Sequence, residues 1–365
     1  MKVLQVVLNL DFGGVESYVI RLSKAMVRAG HEVTVLSQGG PMAALLDGTG
    51  VGLITRPLNR EALPELSRDI SERDFDIINA HNYNSGRIGC PLARATNTPY
   101  VMTVHGPRGF LKRVFYNCWS RRVIALSGAD KRGITGLMGI PANHVFQSVC
   151  PVATDVHYPR PIPLEKKLEF LSNPSGKLIV HISRFSNRKA TVAFELIKAM
   201  PEILAKEPGA RLLIVGSGPM LDEIKKRSDA SNQRSPAMIR VDGPRHDVSD
   251  LFNMADVVVA TAATAMEAMT CGAPTIAAGR TGYLGLISES RFDEGHDLLF
   301  GDHGHCPRET SAGLLTTDVL KVLADPAGAK SAAAAIAIRM ARDFSPASVA
   351  ENVITLYQRV IREVG

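Results

Sequence analysis

The sequence lacks the features that mark membrane-spanning, secreted and metal-binding proteins. Its 365 residues include no run of eighteen apolar residues, as a helix that spans a bilayer would need. The stretch 1–10 has no basic start, long apolar centre or small-residue cleavage site of a signal peptide. The cysteines show neither metal-ligand spacing nor a disulfide framework: Cys90, Cys118, Cys150, Cys271 and Cys306. We therefore expect free thiols and a cytoplasmic location.

Acidic charge is scarce in the first half of the chain. The chain has 42 Lys and Arg against 36 Asp and Glu, which gives a net charge of +6. Residues 1–160 contain 18 of the basic and 12 of the acidic residues, so the whole excess of +6 lies there. The rest of the chain has 24 of each and is neutral. A nucleic-acid-binding face would show a denser basic stripe. We therefore predict an anionic partner for the first half, either a phosphate-bearing acceptor or a membrane surface, and no nucleic acid.

The total composition is that of a soluble globular protein, with 45% hydrophobic and 21% charged residues. This length is enough for two domains, each with its own core. Apolar runs of strand type alternate with helical patterns at 2–10, 52–54, 75–80, 100–104 and 123–126. The alternation predicts a doubly wound parallel sheet for residues 1 to about 155.

The stretch 255–285 carries the most informative pattern. It predicts a buried strand at 256–260, a short helix at about 265–270, and a second strand at 275–278. Gly272 and Pro274 end the helix. Glu267 is the one acid between the two strands of this unit and would lie near the carboxyl ends of parallel strands, where ligands of open α/β sheets bind. It is either a ligand for hydroxyl groups or a solvated helix residue.

Three further places carry polar groups at strand ends. Gly13 and Gly14 precede an amphipathic helix, where bare amides favour an anion, although a plain tight turn is the alternative. His81 and His105 each follow a strand, and a solvated or packed histidine is the alternative for both. Arg184 and Lys189 lie five apart on a loop after a strand, as two cations for a diphosphate would.

Several of these segments together resemble the retaining GT-B glycosyltransferases of glycosyltransferase family 4. Residues 267–274 are similar to the family's Glu-Ala-Met-Ala-Cys-Gly-x-Pro, and 103–106 to Thr-x-His-Asp with Gly106 in place of the aspartate. Arg184 and Lys189 fit the spacing of Gly-Arg-Leu-x-x-x-Lys-Gly, although Ser183 and Ala190 replace the glycines. The resemblance covers nearly the whole chain.

The resemblance implies a GT-B fold, in which two Rossmann-like doubly wound parallel-sheet domains face each other across a cleft. An acceptor domain would span 1–160, a nucleotide-sugar donor domain 161–340, and a helix at 341–365 would cross back to the first domain. Residues 150–176, with five prolines, read as a linker without regular structure. The glycines Gly216 and Gly218 more readily shape a turn than touch phosphate.

The resemblance also implies site residues. Glu267 would bind the ribose of the donor, and Arg184 and Lys189 would bind its diphosphate and stabilise it as the leaving group. His105 would face the transferred sugar, so that the catalytic set is His105, Arg184 and Lys189. The remaining donor contacts would come from Gly13 and Gly14 and from the loop 241–245 around Gly243, which is similar to the family's base-binding loop. The family generally uses no divalent metal.

The chain departs from the family in one important place. Family members carry a second acid eight residues before Glu267, where this chain has Val259, and their loop there is longer. A subgroup with a shortened loop and a Gly-Tyr-x-Gly turn, here 282–285, looks like this chain. The implied reaction moves a sugar from a UDP- or GDP-sugar to a glycan, lipid-linked or small-molecule acceptor. A non-catalytic GT-B partner and a sugar-nucleotide 2-epimerase remain as alternatives.

The segment 106–122 interleaves aromatic and basic side chains and contains the only Trp. Similar family members lay such a segment against a membrane, and we expect reversible contact with an anionic membrane surface here, which would make the protein peripheral on the inner face of the cytoplasmic membrane. A helix with an apolar stripe and a solvated basic face is the alternative.

Overall fold

The structure of the protein is a computed structural model that describes residues 1–106, 122–171, 173–233, 235 and 238–364. The chain divides into two compact units. Unit 1 comprises Met1–Pro151 and Asp343–Gly365, and unit 2 comprises Val152–Arg342.

Unit 1 is built on a seven-stranded, wholly parallel sheet in the order β3-β2-β1-β4-β5-β6-β7. Its strands are β1 Lys2–Val6, β2 Glu32–Ser37, β3 Gly52–Thr55, β4 Ile77–His81, β5 Tyr100–Val104, β6 Val123–Ala125 and β7 Val145–Gln147. Its described α-helices are α1 Gly14–Arg28, α2 Leu63–Ser71, α3 Asn82–Ala95 and α4 Gly128–Met138, to which the C-terminal helix is added. The doubly wound sheet was predicted, whereas β7 was not.

The C-terminal helix belongs to the core of unit 1. It follows the predicted pattern, with proline at the start and an apolar stripe formed by Val349, Val353, Tyr357 and Val360, all of which are buried. This stripe packs in one hydrophobic cluster with the buried face of α1, including Leu22. The two helices of this cluster therefore cover the same face of the first sheet, although they are far apart in sequence.

Unit 2 contains a six-stranded sheet in the order β10-β9-β8-β11-β12-β13, in which only the β12–β13 pair is antiparallel. Its strands are β8 Lys177–Arg184, β9 Ala210–Ser217, β10 Ile239–Asp242, β11 Val257–Ala260, β12 Thr275–Gly279 and β13 Gly282–Leu286. Its α-helices are α5 Leu164–Leu168, α6 Ala190–Lys206, α7 Leu221–Asn232, α8 Val248–Met254, α9 Ala262–Thr270, α10 Phe292–Asp297, α11 Ala312–Ala324 and α12 Pro326–Asp343, and α13 Pro346–Val364 completes the chain. Residues 178–181 of β8 and all four residues of β11 are buried on both faces, as central parallel strands require.

The prediction that residues 150–176 form no regular element is wrong, because this stretch contains α5. Pro163 stands at the N-cap of that helix, where a missing amide hydrogen costs nothing. The prolines therefore delimit a short helix instead of preventing one.

Two glycines shape the turn after β9. Gly216 and Gly218 have φ angles of 150° and 140°, and a Cβ on Gly218 would lie 2.6 Å from the carbonyl oxygen of Phe185. A Cβ on Gly216 would collide with the carbonyl oxygen of Ser183. The turn therefore needs glycine at both positions so that its backbone can pass close to the end of β8.

Candidate active site

Three neighbouring strands of unit 2 end at one edge of the sheet. The strands β8, β11 and β12 are adjacent and parallel, so their carboxyl ends lie side by side. Arg184 is the last residue of β8, Thr261 follows β11, and Arg280 follows β12. This is the edge at which open α/β sheets bind their ligands.

The two predicted diphosphate-binding cations occupy different settings at this edge. Arg184 is exposed and makes no side-chain hydrogen bond or ion pair within the described part of the chain. Lys189 stands at the N-cap of α6, and its Nζ lies 3.1 Å from Oδ1 of Asp302. A guanidinium that no described side chain neutralises is well suited to bind an anion.

Asp302 forms an ion pair with a second cation, Arg280, in addition to Lys189. The same Oδ1 lies 3.1 Å from Nε of Arg280, which also donates to the backbone oxygen of Asp302 at 2.9 Å. One carboxylate thus holds two cations, and the group of three carries a net charge of +1. Its positive charge adds to that of Arg184 at the same edge of the sheet.

The helix that carries Glu267 begins at this edge without a side-chain cap. The hydroxyl of its N-cap residue, Thr261, donates instead to the backbone oxygen of Phe300 at 2.9 Å. The first helical residue, Ala262, has a φ of 50°, which a residue with a Cβ rarely adopts. The first-turn amides of α9 therefore have no side-chain acceptor from the N-cap and point toward the edge, where an anion is favoured.

Glu267 lies in the middle of α9, and its side chain is largely buried, with 16% exposure. Its Oε1 is 3.7 Å from Nε2 of His157, which is buried in the segment that precedes α5. The solvated-helix alternative does not describe this carboxylate. No local sequence pattern indicates the His157 contact, because the two residues are 110 positions apart.

The predicted base-binding loop follows β10 and is rigid on one side. Arg245 donates to both carboxylate oxygens of Asp247, at 2.8 and 2.6 Å, and to Asp242 at 2.9 Å. These bonds raise the pKa of Arg245 and lower that of Asp247. Gly243 lies between these groups, and a Cβ there would meet no atom within 4 Å, so this part of the loop is open.

In unit 1, the predicted glycine site carries its own anion. Gly13 is the N-cap of α1, and the carboxylate of Glu16 folds back over it to where a Cβ would stand. Burial, followed by the nearby Asp11, raises the pKa of Glu16 even though its backbone amide lowers it. Any phosphate that binds to Gly13 and Gly14 would have to displace this carboxylate.

The two histidines of unit 1 are in direct contact. Nδ1 of His81 lies 3.2 Å from Nε2 of His105, and the edge of the Tyr18 ring meets His105 with the ring centroids 4.9 Å apart. His81 is the last residue of β4 and is fully buried, whereas His105 follows β5 and is partly exposed. Burial first, and then the neighbouring His105, holds the pKa of His81 well below its ordinary value. Of the two, His105 is the one that a ligand can reach.

The Gly-Tyr-x-Gly turn forms β13 and is a structural feature of unit 2. Gly282 and Gly285 have φ angles of 128° and 87°, and the buried Tyr283 between them lies with its hydroxyl 2.6 Å from Oδ2 of Asp318. The amide of Leu286 donates to the same carboxylate oxygen at 3.1 Å. This turn is therefore anchored to α11.

Sequence reasoning missed several residues of the site. Arg280 could have been found, because it lies two residues after the predicted second strand. Asp302 and His157 had no local signal, since each reaches the site only through the tertiary fold. Most of the predicted membrane segment, 107–121, lies outside the described residues. Among the described residues, no group of three or more His, Cys, Asp or Glu side chains is placed to hold a metal ion, and no helix is both long and apolar enough to cross a bilayer.

Known proteins resemble this chain along most of its length. The family model "Glycosyltransferase Family 4" matches residues 12–155, and the model "Glycosyl transferases group 1" matches residues 165–300. A D-inositol 3-phosphate glycosyltransferase from Kineococcus radiotolerans is 25% identical over 418 residues, which cover 97% of this chain and 92% of that protein. A phosphatidyl-myo-inositol mannosyltransferase from Mycolicibacterium smegmatis is 26% identical over 60% of this chain.

Solved structures share the fold at lower identity. A glycosyltransferase from Rickettsia africae superposes with a TM-score of 0.79 at 19% identity, covering 99% of this chain and 98% of that one. The Anabaena protein HepE, crystallised with UDP, gives a TM-score of 0.79 at 18% identity and covers 98% and 100%. The two family models match in succession on the two parallel-sheet units, and this chain is therefore a glycosyltransferase of family 4, group 1, with the GT-B fold.

Proposed function

We propose that this glycosyltransferase transfers a sugar from a nucleoside-diphosphate donor with retention of anomeric configuration. The observation that carries the proposal is the edge of unit 2, where the unneutralised Arg184, the Lys189–Asp302–Arg280 group and the uncapped start of α9 meet. All three features favour an anion, and a departing diphosphate gains negative charge as the glycosidic bond breaks.

Arg184 and Lys189 bind the diphosphate in this proposal, and Glu267 accepts hydrogen bonds from the ribose. The loop around Gly243 receives the base, Gly13 and Gly14 complete the donor contacts, and His105 contacts the transferred sugar. The cations and the helix amides neutralise the leaving group, so no metal is needed in this scheme. Val259 provides no carboxylate for the sugar, so the contacts of the sugar differ from those that a two-glutamate site would make.

The nature of the donor and acceptor is suggested by the relatives. HepE was crystallised with UDP and with UDP-glucose, which makes UDP the first nucleotide to test, followed by GDP. The relatives are named for inositol phosphate and phosphatidylinositol acceptors, which carry a phosphate. We propose an acceptor of the glycan, lipid-linked or polyol phosphate kind, which agrees with the basic first half of the chain.

A binding and turnover experiment tests the proposed function. Thermal unfolding of the protein is followed with UDP, GDP and their sugar derivatives, because a ligand that binds only the folded chain raises the midpoint in proportion to its occupancy. The stabilising donor is then supplied in labelled form. Label transferred or hydrolysed indicates a transferase, conversion to the 2-epimer indicates an epimerase, and an unchanged bound donor would contradict both.

We predict that Glu267→Gln weakens binding of the donor nucleotide by about 1.5–3 kcal/mol, the worth of a charge-assisted hydrogen bond. Glutamine keeps the shape of the side chain but loses the charge that accepts from the ribose hydroxyls. Isothermal titration with UDP or GDP measures the change. Glu202→Gln, on an exposed position of α6, is the matched control and should bind as the wild type does. Equal affinities for wild type and Glu267→Gln would mean that the carboxylate takes no part in donor binding.

We also propose that residues 106–122 attach the enzyme reversibly to anionic lipid. The test uses Arg108→Glu with Arg113→Glu, because the guanidinium of Arg122 is already paired with Glu363. At about 1 kcal/mol per basic residue, the double reversal should lower binding to phosphatidylserine-containing vesicles by at least about thirtyfold. Added salt should lower it too. Lys225→Glu with Lys226→Glu, on an exposed face of α7, is the control. If vesicle binding changes neither with added salt nor in Arg108→Glu with Arg113→Glu, the segment does not bind anionic lipid. The alternative, a helix with an apolar stripe and a solvated basic face, would then describe it.

A further inference from the structure

A chain of buried polar groups joins the C-terminal helix to the histidine pair of unit 1. Oε1 of Gln5 lies 2.7 Å from Nε2 of His81, and Nε2 of Gln5 lies 3.3 Å from the hydroxyl of Tyr357. Asn79 donates to the same hydroxyl at 2.6 Å and accepts from Thr103 at 3.0 Å. All of these side chains have no exposed surface. A polar network inside a hydrophobic core costs free energy unless every member is bonded, so its presence calls for a reason.

The contact with Met26 shows in which direction the hydrogen bonds of this network run. The thioether sulfur of Met26 lies 3.8 Å from the amide nitrogen of Gln5 and can only accept. The nitrogen of Gln5 therefore faces Met26 and Tyr357, and its carbonyl oxygen faces His81. That oxygen can only accept, so Nε2 of His81 carries the hydrogen.

The same hydrogen-bond direction extends from His81 to His105, the partly exposed histidine of the pair. The buried His81 is held neutral by its surroundings, so its Nδ1 is an acceptor once Nε2 is protonated. Its partner at 3.2 Å, Nε2 of His105, must therefore donate. In the neutral ring of His105, Nδ1 is then the accepting nitrogen.

We propose that Tyr357 is a positioning residue for glycosyl transfer: through Gln5 and His81 it fixes the tautomer of His105, whose Nδ1 then accepts a hydrogen bond from a hydroxyl of the sugar being transferred. This inference rests on the proposed function of His105. Tyr357 holds the amide nitrogen of Gln5 on the side away from His81, and the hydroxyl of Tyr357 is itself held by Asn79. The C-terminal helix thus contributes to the chemistry of the site although it supplies no ligand.

The test removes the hydroxyl and reads the tautomer directly. In Tyr357→Phe, Gln5 loses its principal acceptor, so both amide orientations become accessible and His81 can carry its hydrogen on either nitrogen. The protein is labelled with ¹⁵N at histidine, and long-range ¹H–¹⁵N spectra at pH 7.5 report which nitrogen of each ring is protonated. The resonances of His81 and His105 are assigned with His81→Asn and His105→Gln. Val353→Ala, one turn earlier on α13 and in the same core, loses packing without touching the network.

The expected wild-type spectrum shows His81 and His105 both protonated at Nε2. Tyr357→Phe should show mixed tautomers for both rings, and Val353→Ala should match the wild type. In steady-state transfer, Tyr357→Phe should lower kcat about tenfold, the worth of one hydrogen bond made in the transition state, with the KM for the donor changed less than twofold. Val353→Ala should leave kcat unchanged.

Other outcomes separate the steps of the argument. Tautomers that are unchanged in Tyr357→Phe, or a wild-type His105 protonated at Nδ1, would overturn the proposal. A changed tautomer with wild-type kcat would overturn the role in transfer while leaving the network as described. Equal loss of kcat in Tyr357→Phe and Val353→Ala would show that the helix acts only by packing. If the wild type transfers no sugar, the proposed function is wrong. The ¹⁵N shifts of His81 and His105 would then still show whether Tyr357 fixes their tautomers.

Discussion

Lys189→Ala is expected to lower the turnover of sugar transfer by about 10²–10³, the usual cost of removing one preorganised charge contact to a transition state. Lys189 reaches the carboxyl edge of unit 2 and shares Asp302 with Arg280. In the variant, Asp302 keeps one cation, and the net charge of the group falls from +1 to 0. If the lost charge acts mainly on the departing diphosphate, kcat and kcat/KM fall together.

A second variant at this edge separates charge from geometry. Arg184→Lys keeps the charge but replaces a guanidinium that can bind two phosphate oxygens with a single ammonium, so we expect a reduced rate. The kcat and kcat/KM of sugar transfer are measured for both variants. Lys198→Ala is the control, because Lys198 lies on the same helix as Lys189, is exposed, and pairs with Glu195. The circular dichroism of all three proteins should match that of the wild type, since partly exposed ion pairs contribute little to stability.

Wild-type turnover in both Lys189→Ala and Arg184→Lys would show that the diphosphate binds elsewhere. Loss of turnover in Lys198→Ala would point instead to damage of α6. Loss in Lys189→Ala alone would leave Arg184 as an exposed strand-end residue without a role in the reaction.

The second large effect is an expected loss of folding stability in acid, caused by His181. This histidine lies in the middle of β8 and is almost fully buried, and burial lowers its pKa from 6.5 to about 4 although its Nδ1 bonds the carbonyl oxygen of Val259 at 2.8 Å. Between these two pH values the unfolded chain binds a proton that the folded chain does not bind. The free energy of unfolding should therefore fall as the pH drops below 6.5, by about 2 kcal/mol at pH 5 and about 3 kcal/mol at pH 4.

The contribution of His181 is measured as the difference in acid sensitivity between the wild type and His181→Asn. The buried His81 and the half-buried His296 also have pKa values lowered by desolvation, so they add to the acid sensitivity in the same direction. His181→Asn keeps a donor for Val259 and has no titratable group. Urea unfolding from pH 4.5 to 7.5 should show a smaller loss for this variant than for the wild type, whereas His305→Gln, at an exposed position, should follow the wild type. Parallel curves for wild type and His181→Asn would contradict the prediction.

The sequence alone determined the local architecture of both units. The alternation of apolar runs predicted the strands and the doubly wound sheet, because hydrophobic periodicity is set by neighbouring residues. The helix that carries Glu267 and the strand before Arg184 were predicted for the same reason, although the structure makes Arg184 the last residue of that strand and the prediction placed it in the loop beyond. The family was identified from short motifs, each of which lies at a single junction between a strand and a helix. The placement of Arg184, Lys189, Glu267 and His105 in the reaction is still a prediction.

The tertiary structure decided which of these residues have partners. Lys189 meets Asp302, Glu267 meets His157, and Gln5 bonds Tyr357 across more than 300 positions of sequence. None of these pairs has a local signal, because each depends on the order of the strands in the sheet and on which helix covers which face. In the first sheet, β1 lies beside β4, and α13 packs over the same face as α1. Only that arrangement brings the hydroxyl of a C-terminal tyrosine to the side chain of a residue in the first strand.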